Sequence, residues 1–185
     1  KALLNVRGSE MMADVCRELG VKYKNNGSLV VGFNDEDKET LLSLKERGER
    51  NGVKGLKVLS RDEVLHLEKN IGESVTCALH APTGAIVCPY ELCIAAVGNA
   101  MDNGASLILD FKVTGIENKG DFYEITSSDG KSVSARYVTN CAGVFSDEIA
   151  ALVGDDSFSV HARRGEYMLL DKDCGSLITH TVFRC

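Results

Sequence analysis

Cys141-Ala142-Gly143 is a corner of three small residues, a place where backbone can lie directly against a flat bound group. The same corner would also serve as a tight strand-to-helix turn in any α/β domain. Further on, Arg163 and Arg164 stand side by side. A guanidinium can grip a carboxylate or a phosphate through two parallel hydrogen bonds. Surface exposure, or pairing with Glu166, is the structural alternative for either arginine. Tyr167 can line a pocket or, as strand aromatics more often do, fill a core. His180 alternates with Thr179 and Thr181, whereas His66, His80 and His161 show no partner spacing and read as structural. With neither a His-x-x-x-His pair nor a carboxylate cluster, no metal is expected.

These residues need elements to hold them. Tyr137 to Asn140 reads as a short strand leading into the corner. Ser146 then reads as a helix N-cap, with Asp147 and Glu148 in the positive first turn. Ile149, Leu152 and Val153 share one face, and Gly154 sits where a helix-ending glycine belongs. Upstream, the periodicity predicts a helix over about Ser9 to Leu19, then a turn at Asn25-Asn26-Gly27 and a buried strand from Ser28 to Phe33. A charged helix opens near Asn34 and Asp35, with Leu41 and Leu44 as its inner edge. Ser60-Arg61-Asp62-Glu63 is a capping box, and Thr76 to Ala81 a further strand. Pro89 marks the first position of another helix, which Gly104 closes. Ser106 to Glu117, Phe122 to Ser127 and Ser132 to Thr139 alternate with period two, a three-strand meander turned at Gly120-Asp121 and Asp129-Gly130. Glu166 to Leu170 and Leu177 to Phe183 read as two last strands.

A chain of 185 residues makes one domain or two small ones. A net charge of -6 argues against nucleic acid or an acidic membrane as partner. No apolar run nears the roughly 18 residues that span a bilayer. Seven scattered cysteines without a C-x-x-C pair fit free thiols in a reducing cytosol. The chain starts at Lys1 rather than methionine and stops just after an apolar run, which reads as a piece of a longer protein.

The order of elements, with Asn140-Cys141-Ala142-Gly143-Val144-Phe145-Ser146-Asp147 at the corner, resembles the middle of FAD-dependent oxidoreductases of the D-amino-acid oxidase type. Cys141 stands where that family usually has Ala or Thr. Shorter runs (Leu4-Asn5-Val6-Arg7-Gly8, Cys88-Pro89-Tyr90-Glu91-Leu92 and Arg163-Arg164-Gly165-Glu166-Tyr167) resemble bacterial glycerol-3-phosphate dehydrogenases. The Arg-Gly-Glu-Tyr run with a histidine downstream is also similar to 2-hydroxyglutarate oxidases. The family's Gly-x-Gly-x-x-Gly turn, which holds the FAD pyrophosphate at a helix start, is missing: no two glycines here are separated by a single residue.

The resemblance implies an α+β internal fragment of such an oxidoreductase, a mixed and antiparallel sheet with a β-meander and flanking helices. About 21–85 and 155–185 would belong to the substrate domain and about 86–154 to the FAD-binding domain. It places Val113 beside the adenine end of FAD, and Cys141, Ala142 and Gly143 near the cofactor's middle; a plain meander residue and a plain turn are the alternatives. One of Arg163 and Arg164, with Tyr167, would bind a small anionic substrate. His180 would orient or deprotonate its hydroxyl, a hydrogen-bonded structural histidine being the other reading. The parent would oxidise the C–H bond beside a hydroxyl, with glycerol-3-phosphate the leading substrate, 2-hydroxyglutarate next and an amine a further option. The isolated chain is expected to hold no FAD and to act, if at all, as a scaffold or interaction domain with weak self-association through its exposed apolar area. No membrane span is expected, and peripheral membrane association of the parent stays open.

Overall fold

The computed structural model describes residues 2–185. In chain order the first elements are α1 (Ala2–Glu18), β1 (Tyr23–Lys24), β2 (Ser28–Gly32), α2 (Asp35–Arg50), β3 (Lys57–Ser60) and α3 (Arg61–Leu67). Next come β4 (Cys77–Ala81), β5 (Ile86–Val87), α4 (Pro89–Asp102), β6 (Val113–Asn118), β7 (Tyr123–Ser127) and β8 (Ser132–Ala135). A 3-10 turn at Gly143–Phe145, α5 (Ser146–Ala151), a second such turn at Lys172–Cys174 and β9 (Thr181–Arg184) complete the chain. The class is α+β, in two compact units: one holds the described residues up to Ala105 together with Leu169–Cys185, the other Ser106–Met168.

The larger unit is built on a four-stranded sheet of order β3-β4-β2-β9, antiparallel except where β9 runs parallel to β2. Successive side chains of a strand point to opposite faces, and β2 shows the consequence. Leu29 and Val31 pack with Leu59, Val64 of α3, Val75 and Ala78 on one side. Val30 packs with Leu41 of α2, Leu56, Cys77 and Leu79 on the other. One helix therefore covers each face. Both helices start where expected: Asn34 Oδ1 accepts from Asp37 N at 2.8 Å, and Ser60 and Glu63 cap reciprocally. Each such cap contributes on the order of 1 kcal/mol.

The first helix is longer than its apolar stripe suggested, running back to Ala2 instead of starting near Ser9. α4 begins with Pro89 at its first turn and ends before Gly104, as the sequence indicated. None of its residues is buried; Tyr90, Ile94 and Met101 are exposed, and Leu92, Ala95 and Val97 are half-buried.

The smaller unit is the meander β6-β7-β8 with α5. Gly120, at φ 93°, and Asp121 turn the first hairpin, closed by Lys119 N donating to Phe122 O at 2.9 Å. At the second, Gly130 N donates to Ser127 O and Ser127 N to Lys131 O, so the loop has three residues with Gly130 left-handed, not the two of an Asp-Gly turn.

Four strand expectations are corrected. Residues 106–112, the segment from Arg136 to Asn140, and Glu166 to Leu170 form no ladder, and the last strand is Thr181–Arg184 rather than Leu177 to Phe183. An extended segment becomes a strand only against a neighbour that takes its N–H and C=O groups; in these three stretches only Lys112 O, accepting from Ser128 N at 2.8 Å, has such a backbone partner among the described residues. Ser146 is likewise no N-cap. The 3-10 turn from Gly143 brings the chain in already helical, so Phe145 holds the cap position and Ser146 the first turn.

Candidate functional site

Glu68 is the residue just past α3, and its side chain turns inward until the residue is 2% exposed. Its Oε1 accepts four hydrogen bonds, all from two residues before β9. The donors are the Thr179 amide at 2.8 Å, the Thr179 hydroxyl, the His180 amide at 2.6 Å and His180 Nδ1 at 2.7 Å. Burial alone would raise the Glu68 carboxyl. The Thr179 hydroxyl, the His180 ring and the two amides outweigh it and hold Glu68 below the usual carboxylate range. An ionised carboxylate only accepts. The proton in the Glu68–His180 bond therefore sits on Nδ1, which leaves Nε2 as the nitrogen that can accept.

Two neighbours wall this ring, and a third pins the strand beside it. Gly27, at φ 70°, passes so close that a Cβ there would lie 2.9 Å from His180 Cδ2 and 3.4 Å from Nε2. His80, on β4, meets His180 edge to face with ring centroids 5.7 Å apart. Burial, then the proximity of His180 and of Lys57 on β3, push the His80 imidazole below its ordinary value. Asn26 Nδ2 reaches Thr179 O and Thr181 Oγ1, both at 3.2 Å, pinning the strand that carries the histidine. The His180 side chain keeps 16% exposure. Such an arrangement can orient a hydroxyl or take its proton at Nε2.

Of the residues singled out in the sequence, only His180 lies in this cluster. Glu68 carried no motif: its partners are 111 and 112 residues away, and only a carboxylate just after a capped helix hinted at it. His80, read as structural, turns out to be the ring beside His180.

Cys141, Ala142, Gly143, Val113, Arg163, Arg164 and Tyr167 all belong to the smaller unit. Val113 opens β6 opposite Ser127. Asn140 shapes the corner, with Oδ1 accepting from Ala142 N at 3.2 Å and Nδ2 donating to Ser146 O at 2.7 Å. Cys141 and Gly143 are exposed, and a Cβ on Gly143 (φ 59°) would meet nothing within 4 Å. Tyr137, Val138, Ile149, Val153 and Phe158 line a hollow of about 640 Å³ beside it. Arg163 and Arg164 are exposed and make no ion pair among the described residues, and Tyr167 is 98% exposed, not part of a core. No group of three metal-ligating side chains occurs among the described residues.

Residues 1–183 match the family model described as DAO, FAD dependent oxidoreductase, and the chain belongs to that family. Its relatives include glycerol 3-phosphate dehydrogenase of Caloramator mitchellensis, 40% identical over 185 residues, which cover 100% of this chain and 38% of that protein. Mitochondrial L-2-hydroxyglutarate dehydrogenase of Mus musculus is 30% identical over 195 residues, with coverage of 99% and 42%. The fold is that of the FAD-bound L-alpha-glycerophosphate oxidase of Mycoplasma pneumoniae, with a TM-score of 0.80, 22% identity, and coverage of 99% of this chain and 49% of that one. The chain thus spans less than half the length of these relatives.

The residues present fit one part of FAD and not another. The open Cys141-Ala142-Gly143 corner, with nothing above Gly143, suits contact with a flat group. Among the described residues no glycine-rich turn leads into a helix, and α2, α3, α4 and α5 each carry a carboxylate in the first turn, whereas α1 carries none.

Proposed function

We propose that this chain is the part of a flavin-dependent dehydrogenase that presents a small anionic hydroxy substrate for oxidation, with glycerol-3-phosphate as the substrate. The observation that carries the reading is His180, held at Nδ1 by the buried Glu68 carboxylate with Nε2 left to accept. FAD, bound by the whole protein, supplies the acceptor for the two electrons and the hydrogen of the substrate C–H bond. What remains for this chain is the proton and the charge. His180 takes the hydroxyl proton at Nε2 as the carbonyl forms. Arg163 or Arg164 grips the anionic group with paired hydrogen bonds, and Tyr167 packs against the carbon chain. Val113 and the Cys141-Ala142-Gly143 corner offer backbone to the cofactor.

Glycerol-3-phosphate ranks first because the 40% identical relative bears that name. 2-Hydroxyglutarate ranks second on the 30% identical relative. The test is dye reduction by the full-length, FAD-loaded protein with glycerol-3-phosphate, 2-hydroxyglutarate and glycine as separate substrates. Turnover of glycerol-3-phosphate well above the others supports the reading. A preference for 2-hydroxyglutarate replaces the substrate, and turnover of glycine alone removes the hydroxyl chemistry altogether.

A further inference from the structure

The geometry points to Glu68 as the positioning residue of His180, the group that fixes its tautomer and meets the charge it acquires; this rests on the reading of His180 as the proton acceptor. A mere clip between α3 and the segment before β9 needs only the two backbone amides at 2.8 and 2.6 Å. Here the same oxygen also takes the ring proton, at 2.7 Å. That bond leaves Nε2 as the basic nitrogen, and it aligns a full negative charge with the ring. When the substrate O–H bond breaks and Nε2–H forms, the imidazolium is produced 2.7 Å from an ionised carboxylate rather than in an apolar wall.

The surroundings prevent the ring from taking another pose. Gly27 closes one side, since even a methyl group there would stand 2.9 Å from Cδ2. His80 closes another, edge to face. The groups that face the pair are few. Thr179 and Asn26 are neutral, and His80 is pushed toward its neutral form by burial, by His180 and by Lys57 beyond it. Among the described residues, Glu68 is the one carboxylate on the His180 ring. A buried carboxylate is costly unless its partners repay the lost hydration, and here every recorded partner belongs to the histidine or the residue before it.

The experiment uses the full-length, FAD-loaded protein with Glu68→Gln, His180→Asn and the double variant. Glutamine keeps the shape and the carbonyl acceptor but removes the charge. Kinetics with glycerol-3-phosphate are followed across pH, with flavin content and thermal midpoint measured on each sample. 15N-histidine labelling reports the Nδ1–H resonance independently of turnover. The expected result is a kcat loss of roughly tenfold or more for Glu68→Gln, beyond what its flavin content and its lowered midpoint account for, with KM nearly unchanged. The acidic limb of its pH–rate profile moves to lower pH, because a cationic ring without its carboxylate gives up its proton more readily. The double variant is no slower than His180→Asn, and the Nδ1–H resonance of the native protein moves upfield in Glu68→Gln. The inference is overturned if Glu68→Gln loses rate only in proportion to flavin or midpoint with the pH profile unmoved, or if the two substitutions act additively. If His180→Asn keeps full rate, the reading of His180 as proton acceptor fails instead, whatever Glu68→Gln does.

Discussion

Oε1 of Glu68 lies 2.7 Å from Nδ1 of His180, although 112 residues separate them in the chain. One residue ends a helix on a face of the sheet, and the other precedes the parallel edge strand. The sheet brings them together, and Asn70 Nδ2, which donates to Leu177 O at 2.9 Å, adds a second tie between the same two segments.

The His180 cluster should contribute two steps to the loss of stability toward acid, one from His80 and one from Glu68. His80 is held below its free value of 6.5, so the unfolded chain binds its proton more readily than the folded one. The stability it contributes is complete above that free value and declines as pH falls below it. Glu68 is held below its free value of 4.5, so its contribution is complete above 4.5 and is lost as pH falls through the lower folded-state value. Guanidinium unfolding of the full-length protein at a series of pH values reads both. His80→Gln should flatten the first step alone, and Glu68→Gln the second; a profile unchanged by either would sink the assignment.

Gly27 can be separated from an ordinary turn glycine. Gly27→Ala should cost about 1–2 kcal/mol from its φ of 70°. It should also lower kcat, because the new Cβ must push the His180 ring off Glu68. Gly20 is the control, with φ 69° and nothing within 4 Å of a Cβ. Gly20→Ala should show the loss of stability that comes from φ alone and leave kcat unchanged. Equal kinetics for the two variants would mean that the ring has room to move.

Leu41→Ala should cost about 2–5 kcal/mol, since Leu41 is fully buried between α2 and the sheet. Its kcat per folded, flavin-loaded molecule should stay near native, because Leu41 makes none of the contacts that hold His180. Denaturant midpoints with flavin-normalised rates check both halves. A kcat loss equal to that of Glu68→Gln would mean that the site simply follows overall stability.

The sequence was most informative where cause and effect are local. Asn34, the Ser60–Glu63 box, Pro89 and Gly104 act within one turn of themselves, and each stands where it was expected. Where a partner is needed, the pattern misled. Leu107 to Leu109, Tyr137 to Val138 and Met168 to Leu170 have strand composition but stay exposed and unladdered among the described residues, because alternation states a capacity and not a neighbour. The candidate site divides in the same way. His180 stood out because histidine is chemically conspicuous, while Glu68 was hidden because its four hydrogen bonds arise only when β9 lies beside β2.

Arg163→Ala or Arg164→Ala should raise KM for glycerol-3-phosphate with little change in stability, since neither arginine has an ion-pair partner among the described residues. A charge-assisted hydrogen bond is worth about 1.5–3 kcal/mol, on the order of ten- to a hundred-fold in kcat/KM. Glycerol, which lacks the phosphate, supplies the comparison. A loss confined to glycerol-3-phosphate marks the gripping arginine, and equal losses on both substrates would remove the anion-binding role.

The 185-residue chain itself should not retain FAD. Holding a pyrophosphate takes unpaired amides at a helix start and the positive end of the helix dipole. In α2 that end is already taken by Asp35, Glu36 and Asp37, and in α3 by Asp62 and Glu63, with the Glu63 carboxylate bonded back to the Ser60 amide at 2.8 Å. α4 places Glu91 there and α5 Asp147 and Glu148, so a phosphate approaching any of these four would meet a like charge. The open corner at Gly143 provides contact area and no anion site. After incubation with excess FAD and desalting, the chain should show a folded circular-dichroism signal and no absorbance in the flavin band. Stoichiometric flavin would mean that the corner and the hollow beside it bind the cofactor without a phosphate cradle, and substrate trials would then begin on this chain.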